Sequence, residues 1–157
     1  MASIRTQIHN NAVALISLFI AVSSLAYNTW RNETTEEQRN VRHAAFRVLE
    51  SLGELQQVVD FRYYYLPFEE KKEREGEFRL RGFGSAAMVH DLMMLMPAPA
   101  PDSGEALHKL WLERFSSLDE LDSAGNHSAD ATTAERVLTA AIRQARESVL
   151  QVLHELE

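Results

Sequence analysis

Six histidines, His9, His43, His90, His108, His127 and His154, are the side chains of this 157-residue chain best suited to proton transfer or metal ligation. Their spacing argues against both roles. None forms HExxH or another His/carboxylate pair with metal-ligand spacing. His90 is followed by Asp91, but neighbours on a helix point in different directions, so this pair would matter only where the fold brought further ligands to it. The chain has no cysteine, hence no thiolate nucleophile, cysteine-ligated metal or disulfide framework. The expectation is a chain with no catalytic residue, no metal site and no cofactor.

The densest chemistry is aromatic. Phe61, Tyr63, Tyr64, Tyr65 and Phe68 fall close together with Arg62 among them. Rings at this spacing can line a ligand pocket, form a protein interface or cap a core. Three consecutive tyrosines on a helix cannot all face inward, so at least one is expected to be exposed. Arg62 falls on the apolar stripe of its helix and must either reach outward or find a carboxylate. Arg62, Tyr63, Tyr64, Tyr65 and Phe68 are therefore the candidate ligand or partner surface. Met88, Met93, Met94 and Met96 crowd a second short stretch, where adaptable core filling is the default role.

Other motifs lack the context they need. RGFGS, from Arg81 to Ser85, resembles part of an RNA-recognition motif, but that motif needs a strand in a four-stranded sheet, and its setting here is helical. It reads as the flexible start of a helix. The phosphate-loop pattern GxxxxGK[ST] is absent. With 23 acidic against 16 basic residues, a net charge of -7, the chain lacks the clustered cations that a nucleic-acid partner demands. Asn32-Glu33-Thr34 and Asn126-His127-Ser128 are glycosylation sequons that matter only on a eukaryotic secretory route.

The elements that position these residues begin with an uncharged stretch. From Ala12 to Ala26 the sequence reads AVALISLFIAVSSLA, and a 20-residue helix from about Asn10 to Thr29 would cover the roughly 30 Å hydrocarbon core of a bilayer. Tyr27 and Trp30 fall at the expected interface and Arg31 follows, the usual order of aromatic belt and then charge. Ser24-Leu25-Ala26 has the form of a signal-peptide cleavage site. However, only Arg5 precedes the span and the helical pattern runs through the site, so an uncleaved anchor is expected. Arg31, Arg39, Arg42 and Arg47 after the span lean weakly toward a cytoplasmic domain, with a translocated domain as the alternative.

The helix continues through polar Asn32 to Asn40 into a heptad seam at Val41, Ala45, Val48, Leu52, Leu55 and Val59, then Arg62 and Leu66. Ala44, Leu49, Val58 and Phe61 widen the stripe, which favours a bundle over a bare coiled coil. Pro67 ends it, and the charged segment Glu69 to Arg81 reads as a solvated connection. A second helix is expected from about Ser85 to Met96, with Met88, Val89, Leu92, Leu95 and Met96 inward, stopped by extended Pro97, Pro99 and Pro101. Asp102 and Glu105 suggest a capping box for a third helix with Leu107, Leu110, Trp111, Phe115, Leu118 and Leu121 buried, closed by Gly125-Asn126. Thr132 and Glu135 suggest another, opening a last helix with Leu138, Ile142, Ala145, Val149, Val152 and Leu156 on its seam.

The expected fold is thus all-α: residues 1–31 as a single transmembrane anchor, and residues 32–157 as an antiparallel bundle of about four helices. The stretch ALISLFIAVSSLAYNTWRNETTEEQRNVRHAAF, from Ala14 to Phe46, resembles the opening of a group of small bacterial proteins of unknown function that share an apolar span followed by YNTWRNE and an acidic helix. The resemblance covers about a fifth of the chain. It implies a bacterial inner-membrane anchor and a helical domain, and brings no activity, cofactor or site residue. The functional expectation is a membrane-anchored, non-enzymatic interaction or scaffold protein, or an accessory subunit of a membrane complex. Its partners would be the lipid bilayer and a protein or a second copy of itself; the alternative is a membrane-tethered small-molecule sensor.

Overall fold

The computed structural model describes residues 11–68 and 74–156. Among these, four α-helices make up the chain: α1 (Ala12–Asp60), α2 (Glu75–Met94), α3 (Ala100–Arg114) and α4 (Ala129–Glu155). A π-helical turn (Phe61–Tyr65) and a 3-10 turn (Leu66–Phe68) end α1, and a second 3-10 turn (Phe115–Ser117) follows α3. The described residues contain no strand beyond one isolated bridge between Leu121 and His127. The chain divides into two units, residues 1–40 and 41–157.

In the first unit, residues 12–40 are helical without a break, as expected from a stretch free of proline and glycine. Thr34 and Thr35 turn their hydroxyls back onto the carbonyls of Trp30 and Arg31 at 3.1 and 2.8 Å, so neither interrupts the backbone ladder. The apolar stretch is long enough to cross a membrane, and none of that stretch is buried within the chain. Val13 and Phe19 are 79% and 73% exposed.

The second unit has one core. The α1 seam supplies Ala45, Val48, Leu52, Leu55, Val58 and Val59, all fully buried, and α4 answers with Leu138, Ile142, Ala145, Val149 and Val152. Leu107, Trp111, Phe115 and Leu118 fill the space between. Two polar links tie α1 to α4: the Gln56 amide donates to Thr139 Oγ1 at 3.1 Å, and Arg42 donates to the Leu156 carbonyl at 2.7 Å, satisfying an otherwise orphaned acceptor at a helix end.

Several local expectations need correction. The solvated connection is shorter than its charge suggests: its first part, Glu69 to Glu73, lies outside the described residues, but α2 begins at Glu75 and carries Gly76 and the whole of RGFGS inside it. The buried face of α2 is Phe78, Gly82, Ser85, Ala86, Val89 and Met93, which turns Met88 and Leu95 outward. Gly82 is a packing residue, since a Cβ there would stand 2.8 Å from Trp111 Cζ2 and 3.0 Å from Val58 Cγ1.

Helix α3 starts at Ala100, ahead of the expected capping box, because proline is tolerated in a first turn where its missing N–H costs nothing. The Ala98–Pro99 bond is cis. Helix α3 also stops well before Gly125, whose φ of 81° serves the later turn, and Leu121 lies outside the core. Helix α4 is capped by Ser128, whose hydroxyl accepts from the Ala131 N–H at 3.0 Å, rather than by Thr132.

Candidate functional site

The aromatic concentration sits where α1 converts to a π-turn. The Leu66 N–H reaches back to the Phe61 carbonyl, five residues away, a local widening that recurs at functional sites in helices. Arg62 and Leu66 stay on the seam and are buried, while Tyr64, Tyr65 and Phe68 are exposed. One of the three tyrosines points to neither extreme: Tyr63 stacks on the His127 imidazole with centroids 3.9 Å apart, and its hydroxyl lies 3.3 Å from Thr132 Oγ1. Phe68 meets the same imidazole edge-on at 5.5 Å, leaving His127 Nδ1 buried without a hydrogen-bond partner among the described residues.

On the other side of the turn, Phe61 stacks on Phe78 at 3.8 Å and on Tyr65 at 6.2 Å, and the Arg74 guanidinium covers both phenylalanine rings. Partial desolvation, then the charge of Glu135 and the proximity of Tyr63 and Asp60, raise the Tyr64 phenol above its ordinary pKa, so it remains a neutral donor.

Arg62 finds its carboxylate in Asp119. The pair is almost sealed, with 6% and 13% of the two side chains exposed. Nη2 donates to Asp119 Oδ1, and Arg62 Cζ lies over the Phe115 ring, 4.4 Å from its centroid. Nε is buried with no acceptor among the described residues. A charged group that has left water with one of its three nitrogens unsatisfied is costly to hold. The place of Arg62 on the seam signals its need for a carboxylate, but nothing in the sequence singles out Asp119.

A second polar cluster is one that spacing alone does not reveal. His90 Nε2 lies 2.9 Å from Glu105 Oε2 on α3, His90 Nδ1 lies 3.2 Å from Asp91 Oδ1, and the His108 ring stands 4.7 Å from that of His90. The neighbouring Asp91 side chain therefore folds back onto His90, contrary to the divergence expected of adjacent residues. Hydrogen bonds to Glu105 and then Asp91 raise the His90 pKa, against a smaller opposing effect of burial. The one hint in the sequence is the i,i+3 spacing of Glu105 and His108. No group of side chains among the described residues is arranged to hold a metal ion.

Of the residues expected at a membrane interface, Tyr27 and Trp30 are both exposed, with rings 6.2 Å apart on one side of α1, and Arg31 is exposed beside them. No protein-family model, curated protein or solved structure matches this chain.

Proposed function

We propose that the chain is a single-pass, membrane-anchored interaction protein without enzymatic activity, with residues 1–31 as the anchor and 32–157 as a helical domain in water. The observation that carries this reading is the exposure of the whole apolar stretch of α1. Val13, Leu15, Ile16, Leu18, Phe19, Ile20, Val22 and Leu25 find no burial within the chain, and in water they would form an apolar patch of a size that monomers rarely tolerate. Inserted in lipid, eight such side chains contribute about -2 to -5 kcal/mol, with no charge to oppose them. The resemblance of residues 14–46 to small bacterial membrane proteins supports a bacterial inner membrane as the site of the anchor, and the arginine bias after the span favours a cytoplasmic domain.

The second part of the reading is a partner surface. Tyr64, Tyr65 and Phe68 present exposed rings around a buried, charge-paired Arg62, a composition favoured at protein interfaces. A protein subunit or a second copy of the chain fits this surface, as for an accessory component of a membrane complex.

Fractionation tests the anchor. The intact chain should sediment with membranes and resist alkaline extraction, and Phe19→Arg, which adds about 3 kcal/mol to insertion at the helix centre, should release it. Recovery of the uncleaved chain from the soluble fraction without detergent would overturn the proposal, and the mass of the N-terminal peptide distinguishes an anchor from a leader cut near Ala26. For the surface, a photoreactive residue at Tyr65 should yield a discrete cross-linked band in cells while one at exposed Gln144 should not. Uncrosslinked chain alone at both positions removes the partner reading.

A further inference from the structure

A cavity of about 220 Å³ opens beside the buried guanidinium, lined by Arg62, Arg79, Phe83, Leu112, Phe115 and Ser116. Its walls carry two chemistries. Two guanidinium groups and a hydroxyl supply donors, while two phenylalanines in edge contact, 5.0 Å between centroids, and a leucine supply apolar surface. Leu112 and Phe83 remain exposed to solvent, so this apolar wall is uncovered.

The charges do not balance. Asp119 neutralises Arg62, but Arg79 has no carboxylate within ion-pair distance among the described residues. Counted over the described residues, the cavity therefore holds one surplus positive charge in a chain whose net charge is -7. Arg62 adds an unmet donor, because the residue is 95% buried and its Nε lacks an acceptor among the described residues. An incoming anion satisfies the donor that the fold leaves open and meets the unpaired Arg79, and one unit of charge matches the one unit in surplus.

We propose that this cavity binds a small organic monocarboxylate with an aromatic or branched body. The planar carboxylate suits the fork of an arginine, and the body lies against Phe83, Leu112 and Phe115. The volume falls below the roughly 300–1,000 Å³ of drug-sized pockets, which sets the ligand near a single ring. A bare phosphate leaves the apolar wall facing water and brings more charge than the site balances. The proposal does not depend on the membrane anchor.

Equilibrium dialysis of the full-length chain in uncharged detergent, with labelled benzoate as the probe, tests it. Benzoate should bind saturably, one per chain, and benzamide, its neutral near-isostere, about ten-fold more weakly or worse, the difference expected from one charge-assisted hydrogen bond. Inorganic phosphate at equal concentration should not displace it. Arg79→Gln, at an exposed position, should weaken benzoate about ten-fold or more with unchanged thermal melting. Leu112→Glu, on the exposed rim, should weaken it by like-charge repulsion and serves should the first variant misfold. Absence of saturable benzoate binding, equal affinity for benzamide, displacement by phosphate, or folded variants that bind as the parent does would each overturn the assignment.

Discussion

Helix α1 contains two stretches built from nearly the same residue types that use them in opposite ways. From Val13 to Leu25 the apolar residues run almost continuously, and all the large ones are exposed; from Ala45 to Val59 they recur in steps of three and four, and every residue on that seam is fully buried. The local backbone is the same, and so is the helix propensity. What differs is periodicity. A stripe can be covered by neighbouring helices, as α4 and α2 pack against α1, whereas a helix apolar all round needs an apolar solvent or complete enclosure. The two stretches also treat charge differently: the first contains none, while the second leads directly to a buried arginine that is tolerated because Asp119 meets it.

The largest expected effect breaks that second contrast. Asp119→Asn removes the counter-charge and leaves the Arg62 guanidinium buried and unpaired, which should cost about 3–5 kcal/mol in chemical denaturation. Replacing both together, Arg62→Met with Asp119→Leu, should restore most of that loss, because neither charge is then desolvated. A single Asp119→Asn with unchanged stability would mean that solvent, not Asp119, carries the arginine.

Truncating a leucine in each stretch sharpens the first contrast. Leu52→Ala should lower the stability of the bundle by about 2–5 kcal/mol, through lost transfer energy and the void left behind. Leu18→Ala, in the exposed stretch, should leave the melting of the bundle unchanged. Equal losses at both positions would show that the apolar stretch also packs into a protein core.

The fold is legible in the amino-acid pattern wherever that pattern is long and uninterrupted. Val48, Leu52, Leu55, Leu138, Ile142 and Val149 mark the seams of α1 and α4 because they repeat over many turns, and helix packing obeys that repeat. Helix α2 departs from its expected start and face because its buried positions include Gly82 and Ser85, which carry no apolar signal, and because EGEFRLR alternates charge with apolar residues as a loop could. Helix starts differ from expectation where a competing cap is nearer, Ser128 before Thr132, or where proline opens the first turn. At the candidate site, the need of Arg62 for a carboxylate follows from its place on the seam. Asp119 lies 57 residues away, and Arg79 and Phe83 lie on a helix whose first half has the composition of a connection, so local pattern cannot assemble the cavity.

Two glycines test how far packing overrides propensity. Gly82→Ala forces a Cβ against Trp111 and Val58, and overpacking there should cost about 1–3 kcal/mol. Gly53, in the seam-bearing part of α1, has nothing within 4 Å of the added carbon, so Gly53→Ala should stabilise by about 0.5–1 kcal/mol through backbone entropy alone. Stabilisation at both sites would deny the close approach of α2 to the core.

The smallest effect concerns a charge at the surface rather than in the core. His90 accepts its proton more readily than a free imidazole because Glu105 and Asp91 hydrogen-bond to it, so its pKa in the folded state lies above the ordinary value of about 6.5. The resulting stabilisation is fully present below the unfolded pKa and is lost as pH rises through the raised folded value. The side chain is 23% exposed and both carboxylates are largely in water, so screening keeps the contribution small, and Arg62 with Asp119 is the stronger clamp. Thermal melting at about pH 6 and about pH 8.5, a range that spares the carboxylates, should therefore show the parent chain losing more stability than His90→Gln as pH rises. His108, on the face of α3 opposite His90, is common to both proteins, so the difference between them isolates the His90 proton. A difference that stays constant across the range would assign the His90–Glu105 contact to uncharged hydrogen bonding. The linkage of α2 to α3 would then rest on packing such as that of Gly104, where an added Cβ would stand only 2.8 Å from the Met93 Cβ.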